Sequence, residues 1–376
     1  MFKKTDLKNK SELLAILTFS IGAWNEFRKA TIYPHKLDLD LSGVDLSGLC
    51  LRKVNFREVN LSGANLSGAD LREARFYKTN LRNANLSGTD LSGANLMGAI
   101  LTRVNLQGAI LTGANFINTN LSEFDFSKFN LEKINFNKAN LKKAKFIKTR
   151  INNCKFIQAN LEAANFSQAQ ISQVTFKRSH LAKANFHKLD LQGINFHEAD
   201  LSYTDFTDAN LTEAILNQAD LHQAQLQGTI LKKASLIGAY LLDTKLNCAD
   251  LTSVIIKRTN LSRLNLSGSN LSKANLQSTN LNQSNLKYSN LSEAKLSLAI
   301  LQNTSLENAR LVGADLRMAI LWHANLQNAN LLGADFRRAD LSNANLQGAN
   351  LFGTDLHEAR LSNTVMTNGR INQSKK

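Results

Sequence analysis

The 376-residue chain is almost free of proline, which occurs once, at Pro34. Proline removes a backbone donor, so its absence from residue 35 onward leaves every later residue able to join a hydrogen-bonded ladder. No apolar run reaches the roughly 18 residues that a membrane-spanning helix needs, so no such helix is predicted. The N-terminus has only a broken apolar run and is not typical of a secretory signal, while an export signal of another kind stays open.

Cysteine is also scarce, with three residues in the chain. Cys50, Cys154 and Cys248 are far apart and hold different positions in the repeat described below, so no disulfide is expected. This fits a reducing compartment. The Lys- and Asn-rich composition fits a bacterial source, so we expect a cytoplasmic protein of a bacterium. The seven histidines do not recur at one repeat position, and no cysteine joins them, so a His/Cys zinc site is not expected. No cofactor is predicted.

What the chain has in abundance is an apolar residue at fixed intervals. Leu, Phe, Ile or Met occupies every fifth position from Leu41 to Ile371, which makes 67 consecutive positions. The residue two before each is usually small, and the residue one before is mostly Asn or Asp, as in the stretch Ala64-Asn65-Leu66-Ser67-Gly68. A period of five matches neither a helix nor a strand, so it predicts a repeat architecture.

The unit resembles the A-(D/N)-L-x-x motif of the pentapeptide-repeat family over roughly residues 39–373. The resemblance implies an all-β solenoid, a right-handed quadrilateral β-helix in which four pentapeptides form one coil of 20 residues. The central Leu or Phe and the small residue would point inward, and the other three would face solvent. The 67 units would make about 17 coils, stacked at roughly 4.8 Å into about 80 Å.

The chemistry of each slot agrees with this geometry. A narrow tube has room for one large and one small side chain per side, and two large ones would overfill it. Asn and Asp before the centre are predicted to bond nearby backbone at the corners. Gly at the last position, as in Gly63 and Gly68, fits a turn with positive φ.

Residues 1–38 are predicted to form an N-terminal helical cap, residues 39–373 the repeat and residues 374–376 a basic tail. Apolar residues three or four apart predict a helix over 11–30, with Ser11 as its N-cap. Pro34 ends the helical region. The helix is expected to cover the open edge of the first coil, and a targeting or partner-binding helix is the alternative. Its apolar residues are Leu13, Leu14, Leu17, Ile21, Trp24 and Phe27.

The C-terminal end has no helical pattern, and the motif decays from Thr364 onward. An uncapped coil is an aggregation hazard unless it is frayed, charged or used in pairing. Members of the resembled family often dimerise end to end, so a homodimer through this end is a candidate.

Every second central residue from Phe116 to Phe206 is Phe, which predicts two phenylalanine ladders on opposite sides of the core. Phe124, Phe129 and Ile134 occupy the slot that is usually small, so the coil is expected to widen or distort at 124–134.

The net charge of +15 is unevenly spread, since residues 116–190 carry +8 and residues 191–265 carry −2. Taken modulo 20, the basic residues fall on all four faces, whereas a nucleic-acid site favours a stripe with exposed aromatics. We interpret this basic collar as a solubility-serving surface, with an anionic partner as the alternative. The collar consists of Lys128, Lys133, Lys138, Lys142, Lys143, Lys145, Lys148, Arg150 and Lys155.

Apolar residues fall in outward slots near the C-terminal end, where contiguous patches indicate an interface. One group, the apolar corner, consists of Leu298, Ile300, Met318, Ile320 and Trp322. On the opposite face an apolar column stacks on three successive coils and consists of Val312, Leu332 and Phe352. Partner binding or self-association is the hypothesis, and tolerated surface variation is the alternative.

Asp315, Asp335 and Asp355 stack on one face and form a candidate cation site. Arg317 and Arg337 stack two residues away, so a structural, salt-bridged ladder is the interpretation. No catalytic constellation is found, and the chain is not expected to be an enzyme.

The favoured hypothesis is a non-enzymatic scaffold that presents its basic and apolar surfaces to an unknown protein partner. One alternative is a topoisomerase-interacting DNA mimic, as in the quinolone-resistance branch of the resembled family. That branch relies on an acidic surface, and a net charge of +15 disfavours it. Direct binding of nucleic acid or an anionic membrane surface is the second alternative.

Overall fold

The computed structural model of the protein describes residues 9–31 and 39–372. Pro34 and the predicted basic tail at 374–376 lie outside the described residues. The chain divides into two compact units. Unit 1 comprises residues 1–161 with 173–175, and unit 2 comprises residues 162–172 with 176–376.

Each unit winds as a β-solenoid whose coils are joined by parallel bridges. In unit 1 Asn65 pairs with Asn85, and in unit 2 Asp315 pairs with Asp335. The bridges join residues 20 apart, so one coil contains four of the five-residue repeats. The backbone of each coil therefore finds its hydrogen-bond partners on the coil above and the coil below.

Three segments of the described chain extend into regular strands. They are β1 (Asn130–Glu132) and β2 (Arg150–Asn152) in unit 1, and β3 (Gln170–Ser172) in unit 2. Strands β1 and β2 pair in parallel, with Leu131 opposite Ile151. They continue the spacing of the single-residue bridges, so they are part of the same solenoid.

Most pentapeptides of the described chain close with a tight turn. The N–H of the small residue donates to the C=O of the preceding central residue, as from Ala64 to Leu61 at 3.1 Å. The residue directly before the small one, in the last slot of the repeat, has positive φ. Examples are Gly68 at +67° and Glu73 at +59°. The positive φ predicted for glycine is confirmed, and residues with side chains share it at a cost of about 1–2 kcal/mol each.

The central residues fill the interior of both units. Leu66 and Phe166 are both 0% exposed, which confirms that these slots point inward. Within unit 1, Phe126 stacks on Phe146 with ring centroids 5.1 Å apart. Within unit 2, Phe176 stacks on Phe196 at 5.3 Å. Each unit thus contains stacked phenylalanines as predicted.

Threonine in the small slot is buried together with its hydroxyl group. Thr79 Oγ1 donates to Phe56 O at 2.7 Å in unit 1, and Thr229 Oγ1 donates to Phe206 O at 2.8 Å in unit 2. The acceptor in each case is a carbonyl of the preceding coil. A buried hydroxyl with such a partner carries little penalty, so Thr replaces Ala in this slot.

The expected distortion at 124–134 takes the form of partly expelled side chains. Phe124 and Phe129 are only half-buried. Their rings flank the buried Phe126, with centroids 4.6 and 5.9 Å from its own. Ile134 remains fully buried. The coil therefore accepts one oversized aliphatic residue but leaves the two larger phenyl groups partly outside.

The prediction of one helix over residues 11–30 is wrong in detail, because the structure has two. Helix α1 spans Lys10–Phe19 and helix α2 spans Ile21–Thr31. The break lies at Ser20, whose backbone is extended and whose Oγ accepts from Ala23 N at 2.9 Å. A serine hydroxyl that caps a new helix competes with continuation of the old one.

The N-cap of α1 is Asn9 and not the predicted Ser11. Asn9 Oδ1 accepts from Glu12 N at 3.0 Å. None of the described helices has the length and apolar composition for crossing a membrane.

Helix α2 bonds to the backbone edge of the coil below it. Trp24 Nε1 donates to Asn55 O at 2.9 Å, and Asn25 Oδ1 accepts from Asn55 N at 2.8 Å. Arg28 donates to Arg57 O, and burial lowers the pKa of the Arg28 guanidinium to about 10. These side chains form hydrogen bonds with backbone groups that would otherwise pair with a preceding coil.

The Asn or Asp before a central residue forms hydrogen bonds with the backbone of its own turn and with the side chains 20 residues away on the neighbouring coils. Asn85 Oδ1 accepts from Ser87 N at 3.2 Å and from Asn105 Nδ2 at 3.1 Å. Asn85 Nδ2 donates to Asn65 Oδ1 at 3.2 Å. The predicted corner bond is confirmed, and the ladder between coils is an addition that the sequence analysis missed.

Asn85→Ala is expected to destabilise the protein by about 1–3 kcal/mol, because three hydrogen bonds are lost. Asn85→Asp keeps both acceptor bonds and loses only the donor, so its effect should be smaller. Urea unfolding followed by circular dichroism measures both. Equal midpoints for the two variants would contradict this role of the side chain.

Candidate functional site

The coil leaves three of every five side chains on the surface. Residues 20 apart stand on neighbouring coils, so a surface feature is built from one repeat position read down successive coils. The buried slots carry structure, and any binding site must therefore come from departures in the outward slots.

The three stacked aspartates form a salt-bridged ladder in unit 2. Arg317 Nε lies 2.8 Å from Asp315 and 3.7 Å from Asp335. Arg337 lies 2.7 Å from Asp335 and 3.6 Å from Asp355. The hydrogen bonds from Arg337 hold the pKa of Asp335 below its ordinary value. The structural interpretation of this ladder is confirmed.

In the part of the chain that the structure describes, no group of three His, Cys, Asp or Glu is arranged to hold a metal ion. The three cysteines are free thiols there, with Cys50 and Cys248 exposed and Cys154 buried. Burial raises the pKa of the Cys154 thiol to about 12, which leaves it protonated and unreactive. The inward and outward slots predicted for these residues are confirmed.

The apolar corner lies on two successive coils of unit 2. Ile300 and Ile320 pair as a parallel bridge and are 38% and 43% exposed. Leu298 and Met318 stand beside them, each 52% exposed. Trp322 extends the surface and is 41% exposed. The five side chains therefore lie on the surface of two successive coils.

A shallow groove of about 540 Å³ runs along one edge of the apolar corner. Leu298 and Met318 supply its apolar wall, and Arg317, Arg337 and Arg338 contribute guanidinium groups. A surface that combines exposed apolar side chains with arginine has the composition of protein–protein contact regions.

The apolar column is present on the other face of unit 2. Phe352 is 79% exposed and Leu332 is 37% exposed, whereas Val312 is half-buried. Gly333 N donates to Phe352 O at 3.0 Å, which fixes the stacking of neighbouring coils. Each column residue is followed by glycine, so no neighbouring side chain in that slot shields it. The glycines are Gly313, Gly333 and Gly353.

The basic collar lies within unit 1, and eight of its nine residues are exposed, with Lys142 half-buried. Lys133 lies 3.1 Å from Glu132 and Lys143 lies 3.8 Å from Glu123. Five consecutive pentapeptides carry lysine in the positive-φ slot, so the charges follow the winding of the coil and do not form a stripe. They are Lys128, Lys133, Lys138, Lys143 and Lys148.

The last described coil differs from the coils before it. Leu341 and Leu346 are at most 1% exposed, whereas Leu351, Leu356 and Leu361 are only half-buried. One side of this coil is covered by the chain itself. Val365 and Ile371 pair as an antiparallel bridge, and Asn372 N donates to Thr364 O at 2.8 Å. Residues 371–372 therefore partly cover the end that was predicted to be uncapped.

A second groove, in unit 1, was not predicted from the sequence. It has a volume of about 430 Å³. Arg57, Arg75, Tyr77 and Asn95 line it, and these residues come from three successive coils. The available signal was Arg75, which stands where the repeat normally has Asn or Asp.

Comparison with known families identifies the class of protein. The family description "Pentapeptide repeats" matches eight segments between residues 40 and 368, and "Pentapeptide repeat region" matches residues 149–226. The chain belongs to the pentapeptide repeat family. Members of this family are generally structural and interaction proteins.

Solved structures of the same family are similar to this chain. Rfr23 from the cyanobacterium Cyanothece 51142 is 33% identical over 31% of this chain and 90% of its own, with a TM-score of 0.26. HetL from the cyanobacterium Nostoc sp. strain PCC 7120, a protein involved in heterocyst differentiation regulation, is 27% identical over 66% of this chain and 94% of its own, with a TM-score of 0.20.

The fluoroquinolone resistance protein QnrB1 is 17% identical over 66% of this chain and 90% of its own, with a TM-score of 0.28. No curated protein matches the chain.

Arg337→Ala is expected to raise the pKa of Asp335, because its strongest hydrogen bond is removed. A lowered folded pKa stabilises the native state above about pH 4, and this stabilisation disappears as the pH falls through the folded pKa. The variant should therefore unfold at lower urea than the native protein at pH 7, with a smaller difference at low pH.

An NMR titration of the Asp335 carboxyl measures the pKa directly. The control Arg103→Ala removes an exposed arginine of unit 1 and should leave that titration unchanged. An Asp335 pKa that is the same in Arg337→Ala and in the native protein would contradict the assignment.

Proposed function

We propose that this protein is a non-enzymatic scaffold that binds a protein partner through outward faces of its solenoid. The observation that carries the proposal is the apolar corner, where five large apolar side chains lie together on the surface at 38–52% exposure. Isolated apolar residues are common on protein surfaces, but a contiguous group near arginines is typical of a contact region.

The proposed contact uses the two parts of the corner differently. Leu298 and Met318 border the groove and are the anchors for an inserted side chain of the partner. Trp322 is a large, rigid side chain at the edge, of the kind that often dominates binding energy. The arginines of the Asp–Arg ladder are held in place by their ion pairs, so they offer preorganised donors at the rim.

The basic collar of unit 1 is proposed as an electrostatic element for an acidic partner. Lysines that follow the coil raise the local potential on every face, which speeds encounter with an anionic surface more than it adds affinity. Nucleic acid and anionic membranes remain candidate ligands of the collar. The same potential disfavours a DNA-mimic role, because the net charge of +15 repels a DNA-binding surface.

The proposal extends to the architecture that presents these surfaces. We propose a right-handed quadrilateral β-helix of about 17 coils, with residues 1–38 as its N-terminal cap. The bonds from Trp24, Asn25 and Arg28 to the edge of the first coils support the cap. The free thiols support a reducing site of action, and we propose the bacterial cytoplasm.

Self-association through the C-terminal end is proposed as part of the same function. The half-buried Leu351, Leu356 and Leu361 are central residues that a further coil would cover, and a second copy of the chain offers the same surface. Light scattering of the intact chain is the test. A mass of 41.6 kDa, that of one chain, would exclude the dimer.

Binding by the apolar corner is tested with Met318→Glu/Ile320→Glu in the full-length protein. The two carboxylates are expected to abolish retention of the partner in an affinity capture from the native cell, because they put charge into an apolar contact. Tyr288→Glu is the matched control, since Tyr288 is 69% exposed in the same unit and lies outside both apolar surfaces.

A collar variant separates the electrostatic element from the contact. Lys142→Glu/Lys143→Glu/Lys148→Glu is expected to slow association and reduce its salt dependence without abolishing binding. Full retention of the partner by the corner variant, with unchanged circular dichroism, would overturn the corner as the binding surface. Steep salt-dependent retention on DNA that only the collar variant loses would favour the nucleic-acid alternative.

A further inference from the structure

A groove in unit 1 brings together cationic groups that the proposed scaffold function does not use. The groove has a volume of about 430 Å³, and its lining includes Arg57, Arg75, Tyr77, Gly93 and Asn95. The residues come from three successive coils, and the groove follows one corner of the solenoid. It lies entirely within unit 1.

Arg75 breaks the polar ladder at this corner. The slot before the centre most often carries Asn or Asp, and one coil further on Asn115 Nδ2 donates to Asn95 Oδ1 at 3.3 Å. Asn95 pairs through its backbone with Arg75, whose side chain has only donors. The amide donor of Asn95 thus faces a neighbour that cannot accept it.

The guanidinium of Arg75 has no acidic partner. Among residues 9–31 and 39–372, no carboxylate oxygen lies within 4.0 Å of it. Glu73 borders the same groove, but Arg52 holds it at 2.9 Å and Lys53 at 3.4 Å. The carboxylate that lines the groove is therefore already paired with two other cations.

Two more cationic side chains lie over the ring of Tyr77, which lines the groove. The Arg57 guanidinium lies over this ring, 4.7 Å from its centroid, and Lys78 Nζ lies 5.3 Å from it. Arg57 Nε is buried without a hydrogen-bond partner, and its ion pair with Glu58 is long, at 3.5 Å. The aromatic face holds Arg57 in position beside Arg75.

Gly93 lines the groove and has no side chain that would block access to it. A side chain in this slot on the coil would stand over the groove, but at Gly93 the nearest atom to an added Cβ is Glu73 Cγ at 3.6 Å. A ligand can therefore approach Arg75 from solvent without displacing protein atoms. Donors at three points and an open approach define a site for a group that accepts hydrogen bonds and carries negative charge.

We propose that this groove binds an oxyanion, the phosphate or carboxylate group of a small ligand, through Arg75 with Arg57 and the Asn95 amide. The planar fork of arginine matches two oxygens of such a group, and charge-assisted hydrogen bonds of this kind are stronger than neutral ones. The bound oxyanion supplies the acceptor that the side chain of Arg75 does not offer to the Asn95 amide. It does not depend on a protein partner.

Calorimetric titration of the intact protein with inorganic phosphate, and separately with succinate, tests the site at constant ionic strength. Saturable binding of at least one anion is expected, and comparison of the two identifies phosphate or carboxylate as the preferred group. Arg75→Asn restores the residue typical of the ladder, so it should fold normally and weaken binding at least about tenfold, the loss of one charge-assisted pair.

Arg310→Asn is the matched control, because Arg310 occupies the same repeat position in unit 2 and donates to Ser292 Oγ at 3.1 Å. It should leave binding unchanged. Arg75→Lys keeps the charge but loses the fork and should bind more weakly than the native protein. The proposal is overturned if neither anion binds saturably, or if Arg75→Asn binds as tightly as the native protein with the same circular dichroism.

Discussion

The structure depends on the burial of one large apolar side chain every fifth residue, against one small side chain from the same repeat. Each buried Leu or Phe contributes on the order of 1.5–3 kcal/mol, and the coils stack these contributions into a continuous core. The register is strict because a shift by one residue would place Asn or Asp inside. The turn with positive φ and the Asn ladder follow from this winding, since both close the corner that each inward residue creates.

This arrangement separates structure from function within each repeat. The inward slots accept small and aliphatic side chains but partly expel Phe124 and Phe129, whereas the outward slots tolerate Lys, Phe or Arg on the same backbone. Function must then be sought in outward departures from the motif. Exposed Phe352, the lysines of the collar and Arg75 in the ladder slot are three such departures, and each changes the surface without changing the coil.

The sequence predicted the solenoid, the inward slots and the Asp–Arg ladder, because a fixed period converts residue number directly into position. It did not predict the break at Ser20, where a local hydroxyl bond competes with a continuous apolar pattern. The fold-back of residues 369–372 was missed because the motif had already decayed there. The groove around Arg75 was missed because it depends on side-chain approach across three coils, which spacing alone does not reveal.

The central claim is tested most directly by two adjacent leucines of unit 2, Leu241 at 2% exposure and Leu242 at 60%. Removal of a buried leucine side chain costs about 2–5 kcal/mol, whereas a surface change typically stays within about 0.5 kcal/mol. Urea unfolding should therefore show a large drop in midpoint for Leu241→Ala and almost none for Leu242→Ala. Similar midpoints for both variants, or the larger drop for Leu242→Ala, would contradict the five-residue register from which the fold and every surface here are built.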